Sequence, residues 1–363
     1  MTSAAASALD EAYERLHATG PEFDGWLSNH GPMAAEALVR HGRSDLVSSW
    51  LDNYMRRLEE FPRGIGPIGA DWRDALGDQR RVADWTAFFG RELAEQPWQD
   101  VLNAWWPRLL PGVVAAATHG VIRVGHAVRA LLTDGADDVR IAELGQALAY
   151  WAARWQTMPA GHAGASAAAA AGRAQALTPG ESLASVPRIA GQSGGIADRL
   201  GRLGSMRGWP EALAGCSVPA EPEQIRARLA SLVDAATRQY LFYGHGNGVM
   251  LVHSATAPNA VLRALPALET SLWAPSLTAA WAASSALTAV YAPAEPAPRA
   301  QLPAAPGGQG IDEETASGTF ARAAEHGDAH VIKFADTAVD VFARTGDPDA
   351  IAAALRAAEL IEP

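Results

Sequence analysis

The chain has 363 residues, with 40 Asp+Glu against 29 Lys+Arg and a formal net charge of −11. Apolar residues at 48% and charged residues at 19% suit a globular chain that buries a large core. The acidic balance argues against nucleic acid and anionic membranes as partners, and a single cysteine excludes an intrachain disulfide or a thiolate-rich metal site.

The opening MTSAAASALDEAYERL carries acids where a targeting segment would carry bases, and no apolar run approaches ~18 residues, so a soluble, cytoplasmic protein is expected. Alanine is abundant and the apolar periodicities are helical, which predicts an all-α fold. The first helix is expected over Ser7–His17, and Pro32, at a first helical position, opens a second over Met33–Arg40. Further helices are expected over Leu46–Glu60, Trp72–Gly77, Val82–Glu95, Trp98–Leu110, Gly112–Leu132 and Val139–Trp155. Pro159–Gly180 and Gly191–Trp209 read as loops, and Val249–Val252 is the best strand-like run. Tyr291–Gly310 is a proline-rich connection to helices at Glu313–Glu325, Ala329–Arg344 and Pro348–Leu360. No repeat or composition break forces a division, so residues 1–363 read as one large helical domain.

The histidines are the informative reactive groups. His119 and His126 lie seven apart in THGVIRVGHAVR, and with Arg123 they share one helical stripe. Seven residues rise ~10.5 Å, so both rings reach one ion only in a near-opposed geometry or across a kink, which Gly120 and Gly125 would permit. His30, in SNHGPM, sits at a helix start, where the positive end of the helix favours a neutral ring, as a ligand must be. A capping histidine is the commoner case there. His253, in GVMLVHSAT, is expected inside the protein, where a core histidine is commoner than a ligand. His245, in YGHGNG, reads as a loop residue.

In EHGDAHVIKFADTAVDVF, His326 and His330 are four apart, and His330 and Lys333 three apart. Val331, Phe334, Ala335, Ala338, Val341 and Phe342 form an apolar stripe. His330, Lys333, Asp336, Thr337 and Asp340 fall opposite, so periodicity alone makes Lys333 a solvated lysine. It is also the only lysine in the chain. The sequence Gly191–Gly195 matches G-x-S-x-G around Ser193, but SLASVPRIA is a poor strand and the match reads as chance.

Taken together, SNHGPM (28–33), WWPRLLPG (105–112), THGVIRVGHAVR (118–129) and HVIK (330–333) resemble the questin oxidase-like proteins. The resemblance runs in order from about Leu16 to the C-terminal helices. It implies a helical oxygenase that opens the ring of an anthraquinone or related aromatic polyketide with non-haem iron and dioxygen. It further implies Fe(II) held by four histidines and a carboxylated lysine, the lysine being Lys333. The histidines would come from His30, His119, His126, His253 and His330, five residues for four places, with one of the His119/His126 pair the first suspect for another role.

Imidazole nitrogens with one hard oxygen donor suit Fe(II) in oxygenases, and a lysine takes up carbon dioxide only as the neutral amine. Arg123 would face a substrate phenolate, as a catalytic group, or simply an acid. Trp105, Trp106, Trp151 and Trp155 would line a pocket for a flat polycyclic substrate or belong to the core. Two alternatives remain at this point. One is a Baeyer–Villiger-type oxidation with NADPH as electron source; the other is a non-catalytic helical protein that binds a polycyclic metabolite.

Overall fold

The computed structural model describes residues 3–158, 177–307 and 312–363. It is 72% helical with two short strands, so the fold is all-α as expected. Residues 159–176 of the expected Pro159–Gly180 loop, and 308–311 at the end of the proline-rich connection, lie outside the described residues. No helix among the described residues is long and apolar enough to cross a membrane. Internal contacts group the chain into two compact units: Met1–Thr157 with Arg263–Glu269, and Met158–Leu262 with Thr270–Pro363.

The first unit contains α1 (Ser3–His17), a hairpin of β1 (Glu22–Phe23) and β2 (Leu27–Ser28), α2 (Gly31–Arg40) and α3 (Ser44–Tyr54). It continues with α4 (Val82–Glu95), α5 (Trp98–Leu109), α6 (His119–Asp134) and α7 (Asp138–Ala153). The aromatic spacing of α4 and α5 explains its core. Trp85, Phe88, Phe89 and Trp105 meet with ring centroids 5.0 to 5.7 Å apart, mostly edge to face, the arrangement that ring quadrupoles favour. Trp106 stands perpendicular to Trp151, and the Trp151 indole N–H donates to the Gly112 carbonyl. Trp105, Trp106 and Trp151 are therefore buried core residues of this unit.

The second unit is built from α8 (Pro179–Ala184), α9 (Ile196–Gly201), α10 (Trp209–Leu213), α11 (Pro222–Tyr243), α12 (Gly248–Leu251) and α13 (His253–Ala264). It is completed by α14 (Trp273–Tyr291), α15 (Glu313–His326), α16 (Ala329–Thr345) and α17 (Pro348–Leu360). The last two residues of α13 belong with the first unit. α11 packs against α8, α14 and α17, and the three C-terminal helices pack on one another. From Ser276 to Tyr291, α14 is buried on nearly every face. Its alanines, serines and apolar residues offer no polar stripe, which is why the 3.6-residue contrast did not reveal it.

Several expected elements differ in detail. Val249–Val252 is not a strand: Gly248–Leu251 is a helical turn, and the Asn247 side chain accepts the Met250 N–H to cap it. The helix expected over Leu46–Glu60 stops at Tyr54 and closes with a 3₁₀ turn, and Trp72–Ala75 is a 3₁₀ turn rather than an α-helix. The Gly191–Trp209 loop contains α9.

The largest difference concerns Gly112–Leu132. The backbone breaks at Ala116, Ala117 and Thr118, whose φ values are 46°, 55° and 71°, and α6 begins only at His119. Glycine at 120 and 125 therefore makes no kink; α6 runs unbroken through both. Gly120 serves packing instead, since a Cβ there would lie 2.7 Å from the buried Trp151 ring. Gly120→Ala should lower stability by about 1–3 kcal/mol through overpacking, read as a fall in the thermal midpoint.

Candidate metal centre

In the first unit, two parallel helices carry the polar groups in step. His30 occupies the N-cap position of α2, its ring making no capping hydrogen bond to the helix N–H groups, and meets His119 at the start of α6, with Nε2 to Nε2 at 2.8 Å. Six residues on, Glu36 meets His126, seven residues on from His119, at 2.7 Å. Advances of six and seven residues are ~9 and ~10.5 Å along helices running the same way, so the register is kept. The two histidines of α6 therefore have different neighbours.

The hairpin and its exit position His30. Ser28 and the Tyr150 hydroxyl are 2.7 Å apart, the Asn29 side chain donates to the Gly20 carbonyl, and its oxygen accepts the Gly31 N–H. The Tyr54 hydroxyl accepts the backbone N–H of His30 at 2.5 Å and lies 3.5 Å from its Nδ1. His119 is oriented by the break before it: the Ala116 carbonyl sits 2.5 Å from its Nδ1. A carbonyl can only accept, so His119 carries its proton on Nδ1 and turns its Nε2 lone pair toward His30. Left-handed backbone costs a non-glycine residue roughly 1–2 kcal/mol, and three such residues in succession make this turn a strained one. Both rings are buried, and their planes are nearly perpendicular.

His126 is engaged at both nitrogens. Arg263, a pure donor, lies 3.3 Å from its Nε2, so the proton sits on Nδ1 and is given to Glu36. Glu36 also accepts from Arg129 through both of its oxygens. Burial would raise the Glu36 carboxyl, but the Arg129 charge and the His126 hydrogen bond outweigh it and take the pKa down to about 2. Burial, with the neighbouring Arg263 charge, pushes His126 down to about 4.

Both shifts have the same sign in stability. From pH 6.5 to about 4 the unfolded chain binds a proton at His126 that the folded one refuses, and from 4.5 to about 2 the same holds at Glu36. Stability should fall as pH drops through these windows, the His126 part being on the order of 3 kcal/mol. Calorimetry at stepped pH should show this decline, and His126→Gln should flatten it between pH 6.5 and 4.

Arg123 holds Glu143 through two hydrogen bonds of 2.6 and 2.8 Å, and His17 adds a third contact to the same carboxylate. Its guanidinium is thus paired with an acid inside this unit. All three of Arg123, Glu143 and Tyr13 are buried, and Tyr13 stacks on His17.

The second unit repeats the motif with other residues. His253 begins α13 and faces His330 in the first turn of α16, with ring centroids 5.4 Å apart. Six residues beyond His253, Asn259 donates to Thr337, seven residues beyond His330, and also to Asp340. The His253 Nδ1 lies 3.3 Å from the Met250 carbonyl. Asp328 caps α16 by accepting the N–H groups of His330 and Val331, and the same oxygen lies 3.4 Å from His330 Nδ1. Burial lowers the His330 pKa, helped by the Lys333 charge and opposed by Asp328.

Lys333 departs most from its sequence pattern. It is 1% exposed, as fully buried as the Phe334 beside it, and among the described residues its Nζ has no hydrogen-bond partner. The polar stripe of α16 is not a solvated face, since Asp336 and Thr337 are at 0% exposure. Burial pushes the Lys333 amine down to about 7, against the pull of the Asp328 charge. A neutral amine is therefore accessible near physiological pH.

Sequence reasoning had not singled out Tyr54, Glu36 or Asp328. Asp328 left a signal as an N-cap aspartate ahead of an apolar run; Tyr54 and Glu36, whose partners are remote in sequence, left none. His245 and His326 stay outside both pairs, His326 lying 3.0 Å from the Ile361 carbonyl through its Nε2. Cys216, the single thiol, is buried with its pKa raised by burial.

No curated protein matches the chain significantly. Residues 45–338 match the family model of the questin oxidase-like proteins, a span that includes His119, His126, His253, His330 and Lys333 and begins after His30. With most of its length matched, the chain belongs to the questin oxidase-like family, and its membership implies an oxidoreductase.

Proposed function

We propose that this protein is an Fe(II)- and dioxygen-dependent oxygenase that opens a ring of an aromatic polyketide such as an anthraquinone. His30, His119, His253 and His330 would hold the metal with carboxylated Lys333. The observation that carries the reading is the Lys333 amine, buried without a hydrogen-bond partner among the described residues, one helical turn after His330. A buried amine in that state is costly unless it gains a function or a partner.

The residues fit the group. Each of the four imidazoles has a partner near Nδ1 within its own unit, which leaves Nε2 as the donor atom. Neutral imidazoles with one anionic oxygen suit ferrous iron. Lys333 supplies that oxygen by adding its amine nitrogen to the carbon of CO2 and losing a proton, which forms a carbamate anion. Arginine could not replace it, because a guanidinium stays protonated. His126 is set apart from this set by Glu36 and Arg263, and Arg123 by Glu143.

Bound iron supplies the one-electron chemistry that lets dioxygen react with an aromatic ring. The protein's own task is to hold the imidazoles in fixed tautomers and to keep water out, which the burial of His30, His119, His253 and Lys333 serves.

The test is metal analysis after anaerobic purification in bicarbonate buffer, followed by oxygen uptake with hydroxylated anthraquinones. About one iron per chain and substrate-dependent oxygen consumption are expected. Tight binding of the anthraquinone with no metal and no chemical change would overturn the reading. A strict requirement for NADPH in the presence of ferrous iron would redirect it to a Baeyer–Villiger-type reaction.

A further inference from the structure

Resting on the iron reading above, we infer that all four histidines present Nε2, and that Tyr54 and Asp328 are the positioning side chains for His30 and His330. Four different groups face the four Nδ1 atoms: the Tyr54 hydroxyl at 3.5 Å, the Ala116 carbonyl at 2.5 Å, the Met250 carbonyl at 3.3 Å and the Asp328 carboxylate at 3.4 Å. Each lies in the same unit as its histidine.

The chemistry of these partners differs. Carbonyl and carboxylate oxygens only accept, so His119, His253 and His330 are held as Nδ1–H tautomers. The Tyr54 hydroxyl can donate or accept. The Nε2 atoms of His119 and His30 lie 2.8 Å apart and can share one proton; with His119 held as Nδ1–H, that proton belongs to His30, and the Tyr54 hydroxyl then donates to the His30 Nδ1. When a cation takes the place of that Nε2 proton, the ring proton moves to Nδ1, and the phenol oxygen can then accept it. Tyr54 is thus the partner that serves both tautomers of His30. Coordination also acidifies Nδ1–H, which strengthens its hydrogen bond to an oxygen.

Asp328 does two separable jobs. Its oxygen caps two backbone N–H groups of α16, and its charge faces His330 Nδ1. Asp328→Asn keeps an oxygen for the cap and removes the charge. Tyr54→Phe removes the hydroxyl and keeps the ring that stacks on Trp50.

The experiment uses metal-free full-length protein with ¹⁵N-labelled histidine, then Co(II) titration in bicarbonate buffer followed by visible absorption. The spectra should show Nδ1–H at His119, His253 and His330, and Nε2–H at His30 until Co(II) is added. Asp328→Asn should retain the wild-type melting profile, and Tyr54→Phe should stay folded but melt lower because the buried His30 backbone N–H loses its acceptor. Both should bind Co(II) roughly ten- to a hundredfold more weakly. Nε2–H tautomers at His119, His253 or His330, or unchanged Co(II) affinity in both variants, would overturn the inference. Failure of the wild type to bind Co(II) would instead overturn the iron reading, and the positioning role with it. The two failures are distinct because the metal-free spectra report the tautomers on their own.

Discussion

Lys333→Met should give a protein that folds at least as stably as the wild type, yet holds no iron and loses activity by more than about a hundredfold. The two halves of this expectation have separate causes. Lys333 is 1% exposed, its Nζ has no hydrogen-bond partner among the described residues, and burial lowers its pKa to about 7 against the pull of the Asp328 charge. Methionine fills a similar volume without a polar terminus to desolvate, so the metal-free fold should lose nothing and is expected to gain up to a few kcal/mol. Activity should fall because a direct oxygen donor is lost, a change larger than the ~10–100-fold that outer partners of a metal site contribute.

Lys333→Ala adds a discriminating measurement. It opens a cavity one helical turn after His330, and a short carboxylate such as propionate should enter it and restore part of the iron content and turnover. Glutamine at 333 should not respond to propionate, since it leaves less space. Full iron and full activity in Lys333→Met would sink the carbamate assignment.

Glu36→Ala should be the most destabilising single substitution in the first unit. Glu36 is the shared acceptor of Arg129 and of His126 Nδ1–H, and all three side chains are buried. Removing it takes from the buried Arg129 charge the carboxylate that both of its hydrogen bonds to Glu36 reach, in a low-dielectric setting. Breaking such a pair costs about 3–5 kcal/mol, which corresponds to a fall on the order of 10 °C in the melting transition of a unit this size. Glu36→Gln keeps the shape and one acceptor oxygen, so it should cost less than alanine. Because His30 stands at the N-cap position of α2, which carries Glu36, Glu36→Ala should also weaken metal uptake. A melting transition within 2 °C of the wild type, on an uncertainty of about the same size, would mean that the network contributes little.

Some of this molecule was legible in the chain alone. Helical periodicity and proline at a first helical position placed α2, α4, α5, α7 and the three C-terminal helices within a few residues, because the contrast between apolar and polar positions or a proline start marks each of them, whether or not its polar side meets solvent. α11 and α14 were not placed. α14 is buried all round, so its sequence carries no contrast to read. The start of α6 was misplaced for another reason. Nothing in AAATHG announces three left-handed residues in succession, a conformation that the surrounding packing must impose against local preference.

The histidines were identifiable as a set because their residue types and the family resemblance marked them. Which nitrogen each presents was not, because that depends on the Ala116 and Met250 carbonyls, the Tyr54 hydroxyl and the Asp328 carboxylate. Lys333 marks the boundary most sharply. Sequence by itself determined that the chain has a single lysine, that it follows His330 by one helical turn, and that it lies opposite an apolar stripe. From those facts periodicity put it in water. Only the tertiary structure decided that the opposite face of α16 is also covered, by residues distant in sequence such as Asn259. Periodicity records the contrast between two faces of a helix, but not whether the polar face meets solvent or other polar groups, and that choice sets the protonation of Lys333.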